Sequence, residues 1–135
     1  MQIEQIDHLV LTVLNIGASC DFYSRILGMQ VVTFADNRKA LAFGSQKINL
    51  HEQGKGFDPK AANPAPGAID LCLLTADDMD HIIGHLQHHD VEIIEGPIQR
   101  TGATGPILSV YVRDPDGNLL EIGTLNLEPI KSHAA

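Results

Sequence analysis

Two hydrophobic periods alternate along the chain, and their order repeats. From 3 to 13 (IEQIDHLVLTV) apolar and β-branched residues dominate and the run closes at Leu14-Asn15, which predicts a strand feeding a helix. Over 16–27 the residues Ile16, Cys20, Tyr23 and Leu27 fall near one stripe with Phe22 and Ile26 beside it. Gly28 follows as the residue that tolerates a left-handed conformation at a helix end. Three short strands are then predicted at 29–34 (MQVVTF), 38–43 (RKALAF) and 46–51 (QKINLH), parted by Asp36-Asn37 and Gly44-Ser45. The stretch 54–67 (GKGFDPKAANPAPG) has no hydrophobic period and reads as a linker. The same order returns beyond it, with strands at 69–75, 91–98, 107–113 and 118–124 and a helix at 77–89 after the first of them. In that helix Met79, Ile82, Ile83 and Leu86 keep the i, i+3, i+4, i+7 spacing, which leaves His81, His85, His88 and His89 opposite. The last hairpin turns at Asp114-Pro115-Asp116-Gly117. The chain therefore reads βαβββ twice: a single α+β domain with module one at 1–53, the linker at 54–67, module two at 68–127 and a tail at 128–135.

Strand parity sorts the polar residues. His8 shares a face with Val10 and Thr12, and Lys47, Asn49 and His51 share one opposite Ile48 and Leu50. Glu121 lies opposite Leu120 and Ile122, and is read as the carboxylate counterpart of His51. Aligning IDHLVLTV with AIDLCLLT puts Asp70 where His8 stands, so the two modules offer two matched pairs. Tyr111 shares its parity with Ser109 and Arg113 and can face a substrate. Arg38 and Arg100, in or next to loops, can hold an anionic group, although plain surface charge is the commoner role for such residues. Imidazole and carboxylate donors without thiolate suit Zn, Ni, Co, Mn or Fe(II). His81 and His85, four apart, form a rival chelating pair, but their place opposite the apolar stripe favours a solvated face.

Composition narrows the function classes. The 135 residues suffice for one core, and 44% of them are apolar. The formal charge of −8 with no Lys/Arg cluster opposes nucleic acid as a partner. Two cysteines, Cys20 and Cys72, outside any CxxC pair, suggest neither a disulfide framework nor a thiolate zinc site. The N-terminus lacks a basic, cleavable leader and no apolar run approaches the ~18 residues of a membrane span, so a cytoplasmic protein without a membrane partner is expected.

The segments DHLVLTV (7–13), FYSRILG (22–28) and above all RDPDGNLLEI (113–122) resemble the vicinal oxygen chelate superfamily. Its members include glyoxalase I, methylmalonyl-CoA epimerase, extradiol dioxygenases, and fosfomycin and bleomycin resistance proteins. NRKALAFGSQKINLH (37–51) and RTGATGPILSVYVRDPDGN (100–118) resemble the small subfamily called glyoxalase domain-containing protein 5.

The resemblance implies curved mixed sheets around a metal-binding cavity, with ligands from the first and last strands of each module: here His8, His51, Asp70 and Glu121. The chain departs from the family pattern at Asp70, where His is commoner, and at His51, where glyoxalase I commonly has Glu. The use of a thiol cosubstrate stays open, while one divalent ion per chain follows as an expectation. So does a lyase or isomerase of the lactoylglutathione lyase type, acting on a small substrate with vicinal oxygens through an enediolate, with Glu121 as base. A non-haem Fe(II) dioxygenase and a non-catalytic binding protein of the bleomycin-resistance kind are the alternatives. A homodimer is expected, with His8 and His51 of one chain grouped with the carboxylates of the other.

Overall fold

A computed structural model describes residues 1–128; of the expected tail, 129–135 lie outside the described residues. The strands are β1 (His8–Val13), β2 (Gln30–Phe34), β3 (Arg38–Phe43), β4 (Gln46–Glu52), β5 (Asp70–Leu74), β6 (Glu95–Thr101), β7 (Pro106–Arg113) and β8 (Leu119–Thr124). They form two four-stranded sheets, ordered β1-β4-β3-β2 and β5-β8-β7-β6. In each, the first strand lies parallel to the fourth and the other neighbours are antiparallel. These are the two βαβββ modules of the vicinal oxygen chelate fold.

The chain divides into two compact units. The first is Met1–Ile69 with Pro115–Gly117, and the second holds Asp70–Asp114 and the residues from Asn118 on. The stretch 54–67, read as a linker, thus belongs with the first module.

In the first unit the helix α1 (Ile16–Asp21) starts at Asn15, whose side chain accepts from the Ala18 N–H at 2.8 Å. The expected single helix over 16–27 instead passes into a π-helical turn at Phe22–Ile26. There Ser24 Oγ donates to the Cys20 carbonyl at 2.6 Å, a local side-chain bond of the kind that bends helices. Tyr23, Phe22 and Ile26 are buried, as are Leu11 and Val13 of β1, Leu41 of β3, and Ile48 and Leu50 of β4, which together form this unit's core. β1 begins at His8 and not at Ile3, since no pairing on β4 precedes the His8–Lys47 register.

In the second unit α2 (Met79–His88) is capped by Asp78, whose carboxylate accepts from the His81 N–H at 2.8 Å. It buries Met79, Ile82, Ile83 and Leu86, and the sheet buries Val110, Val112, Leu120 and Ile122. β6 covers 95–101, later than the expected 91–98, and an irregularity between Glu95 and Ile98 interrupts its ladder with β7. Among the described residues no helix is long and apolar enough to cross a membrane.

Candidate functional site

The alternating faces set out by parity are the faces the sheets present. On β4 the buried Ile48 and Leu50 oppose Asn49 and His51, and on β8 Leu120 and Ile122 oppose Glu121. The register then decides which polar residues can meet. His8 pairs with Lys47 and Val10 with Asn49, so Asn49 stands one row along the shared face from His8, on the neighbouring strand. Asp70 pairs with Leu119 and Cys72 with Glu121, which puts Glu121 in that same diagonal relation to Asp70. At ~3.3 Å rise per residue and ~4.8 Å between strands, each diagonal spans roughly 8 Å between Cα atoms, close enough for two side chains to lean toward one ion.

This corrects the pairing read from sequence. Asp70 is the counterpart of His8, as aligned, but the counterpart of Glu121 is Asn49. His51 pairs with Thr12, one further row beyond Asn49. His8 and His51 thus stand at opposite ends of the β1–β4 pair, about 13 Å apart along the strands. Two nitrogens on one ion lie within about 4 Å of each other, so these two imidazoles do not share one.

The donor set that the register assembles fits a borderline or hard divalent ion in its chemistry. His8 Nδ1 is 2.8 Å from Asp7 Oδ1, a carboxylate–imidazole contact that leaves Nε2 to act as donor. Asn49 is 6% exposed, and its Oδ1 is buried with no hydrogen-bond partner. Glu121 Oε2 accepts from Ser109 Oγ at 2.6 Å, which holds the carboxylate and leaves its other oxygen. Asp70 is exposed. Each module contributes one pair, and among the described residues no three His, Cys, Asp or Glu side chains gather to hold an ion. The histidines of α2 make no such group either: His81 and His85 stack at 6.3 Å between ring centroids and His81 lies 3.8 Å from Asp77.

The other candidates form two further clusters. Arg100 Nε donates to Tyr111 Oη at 3.0 Å, and Tyr111 stands directly across from Glu121 on β8. Cys72, on the same face, is an exposed residue whose thiol is pushed up to about 11, by local desolvation first and then by the negative charge of Glu121 and Asp70.

The second cluster, in the first unit, holds Arg38 and His51. The Arg38 guanidinium lies over the rings of Phe34 (4.9 Å) and Phe57 (4.4 Å), and its Nη2 is 3.3 Å from His51 Nε2. His51 is held below the usual histidine range by burial, then by the charges of Arg38 and Lys60. A guanidinium can only donate, so the neutral imidazole accepts at Nε2 and carries its proton on Nδ1. A cation on that lone pair further separates His51 from metal binding. Sequence reasoning missed Asn49 because an amide is a weak signal beside a histidine two residues away.

Comparison with known proteins identifies the family. Residues 5–122 match the model of the Glyoxalase/Bleomycin resistance protein/Dioxygenase superfamily. The chain is 53% identical over 122 residues to the virulence protein STM3117 of Salmonella typhimurium, covering 90% of this chain and 85% of that protein. The crystal structure of STM3117 superposes with a TM-score of 0.90, covering 92% of this chain and 98% of the other. A glyoxalase domain-containing protein of Mycosarcoma maydis, RDO1, is 53% identical over 124 residues, 92% of this chain and 70% of its own. At 18% identity the fold alone is shared with a mutant of the fosfomycin resistance protein FosX of Listeria monocytogenes, complexed with Mn(II) and 1S,2S-dihydroxypropylphosphonic acid (TM-score 0.62, 90% of each chain). The chain belongs to the glyoxalase, bleomycin resistance protein and dioxygenase superfamily.

Proposed function

We propose that this protein is a metal-dependent lyase or isomerase of the glyoxalase type, acting on a small substrate with vicinal oxygens. The observation that carries the reading is the matched diagonal in the two modules, His8 with Asn49 and Asp70 with Glu121. These four side chains would hold one divalent ion, the two half-sites meeting across a homodimer. When bound, the ion supplies Lewis-acid polarisation of the substrate oxygens, which acidifies the C–H beside them.

The rest is the work of the chain's own residues. Glu121, which must loosen as a ligand to serve as base, takes the substrate proton on the carboxylate oxygen that Ser109 does not occupy, while the Ser109 hydroxyl keeps the carboxylate oriented. Arg100 fixes the Tyr111 hydroxyl opposite Glu121, where it can position a substrate oxygen. Local desolvation, and then the charges of Glu121 and Asp70, keep the Cys72 thiol protonated, so a thiol in the reaction would come from a cosubstrate. The oxygenase alternative asks for two imidazoles and a carboxylate on one ion. Among the described residues the register brings one imidazole, that of His8, to the proposed donor set.

Metal analysis of untagged protein, followed by proton-exchange assays on hemithioacetals and α-hydroxycarbonyl compounds with each bound ion, tests the reading. Solvent deuterium incorporated at the substrate carbon is expected. Oxygen uptake with iron and no exchange would overturn it.

A further inference from the structure

The first unit carries a second chemical feature that the metal donors do not use. Although the chain has a formal charge of −8, three cations gather on one side of the first sheet. Arg38 and Lys47 both lie over Phe34, with Lys47 Nζ 4.2 Å from the ring centroid. Lys60 lines the same pocket as His51. Asp58 pairs with Lys60 at 3.8 Å and Glu52 is engaged by Lys55 at 2.8 Å, while among the described residues neither Arg38 nor Lys47 pairs with a carboxylate.

Arg38 is the centre of this cluster, and its hydrogen bonding is half complete. The rings of Phe34 and Phe57 cover the guanidinium, so its edge is the direction left for recognition. Nη2 meets His51 with one of its two hydrogens, whereas Nε is buried with no acceptor. A buried charged donor left unpaired is costly, and Nε together with Nη2 is the fork that receives a bidentate oxyanion. Beside His51 a pocket of about 170 Å³ is lined by Val10, Thr12, Lys60, Ala65 and Ile69 among others. It has the size of a cavity that takes a small organic molecule. Phe57, 49% exposed, is carried by the segment beginning at Gly54, whose φ is +80°.

We propose that the first module binds a small organic oxyanion: the anionic group docks on the Nε/Nη2 edge of Arg38 beneath Phe57, and a short apolar body fills the pocket next to His51. This goes beyond the lyase reading and rests on none of its four donors. The oxyanion is a carboxylate or a phosphoryl group, since the fork serves both.

The test uses the full chain, as isolated and after treatment with a chelator. Isobutyrate and inorganic phosphate serve as probes in calorimetric titrations, and the Arg38 Nε–H resonance is followed by NMR. Saturable binding of at least one probe is expected in both preparations, with a shift of the Arg38 Nε–H signal and at least a tenfold weakening in Arg38→Gln. Phe57→Ala, which leaves the fork intact, should weaken binding less. The tighter probe names the anion class. The proposal is overturned if neither probe saturates, if Arg38→Gln binds as the parent does, or if binding vanishes with the metal while the Arg38 signal never moves. That last outcome leaves the metal-dependent reading standing by itself.

Discussion

The Nη2 of Arg38 lies 3.3 Å from the Nε2 of His51, a contact between a fixed cation and an imidazole that stays neutral. Because the folded state holds the His51 pKa below its ordinary value of 6.5, the unfolded chain binds this proton more readily. Stability from this group is therefore full above 6.5 and declines as pH falls from there toward the lower folded value. Thermal unfolding followed across that window should show the decline in the parent chain and lose this component in His51→Gln. Arg38→Gln should shrink it without removing it, because burial is the larger cause. An identical pH dependence in all three would contradict the assignment.

Metal content separates the two imidazoles of the first module. His8→Ala and Glu121→Ala should lose the ion, and Asn49→Leu should weaken its binding. Asp70→Ala should weaken it less than His8→Ala. His51→Ala should keep the ion, as should a double replacement of His81 and His85. Elemental analysis of each dialysed variant decides, and unchanged metal in His8→Ala together with loss in His51→Ala would restore the pairing that the sequence suggests.

Glu121→Gln should fold, retain much of its metal and lose roughly 10² to 10⁴ in rate, the scale of general acid–base catalysis. Steady-state kinetics combined with α-deuterated substrate reads this directly. A primary isotope effect is expected in the parent enzyme. A rate within a few fold of the parent would move the base to another residue.

Cys72 should alkylate slowly at neutral pH, since a thiol pushed up to about 11 is almost wholly protonated there. Replacing Glu121 by Gln or Asp70 by Asn removes one of the two repelling charges and should speed the reaction several fold, while partial burial keeps it below the rate of a free thiol. Mass spectrometry of iodoacetamide time courses gives the comparison. Fast alkylation in the parent chain would refute the environment described.

The duplication and the buried faces were legible in the sequence, because periods of two and near four report directly which side of a strand or helix is apolar. Parity put Asn49, His51 and Glu121 on the right faces, yet it cannot tell rows apart. Only the β1–β4 register, set by where two distant strands slide into place, distinguishes Asn49 from His51. The π-helical turn at 22–26 hangs on one hydroxyl, Ser24, whose choice of the Cys20 carbonyl leaves no trace in the periodicity. The run Ile3–Gln5 reads as strand by composition but finds no pairing, and nearby the Ile6 carbonyl accepts instead from the Gln46 side chain at 3.0 Å. Residues 54–67 read as a spacer because small residues and prolines pack against a pocket without any hydrophobic repeat.

The turn residues Pro115–Gly117 belong to the first unit although they lie in the second half of the sequence. Asp116 Oδ1 accepts from the Leu14 N–H at 3.1 Å across a sequence separation of 102 residues. Gly67, at φ +80°, lies so close that an added Cβ would meet the Asp116 carbonyl at 2.7 Å. The first unit is therefore finished by residues synthesised only after β5, α2, β6 and β7. Loop closure over such a distance is won late, and a nascent chain that has emerged only as far as Ile69 lacks the piece that closes its own first unit. A fragment cut there would inherit the sheet and helix but leave the Leu14 amide without the carboxylate it meets in the whole chain.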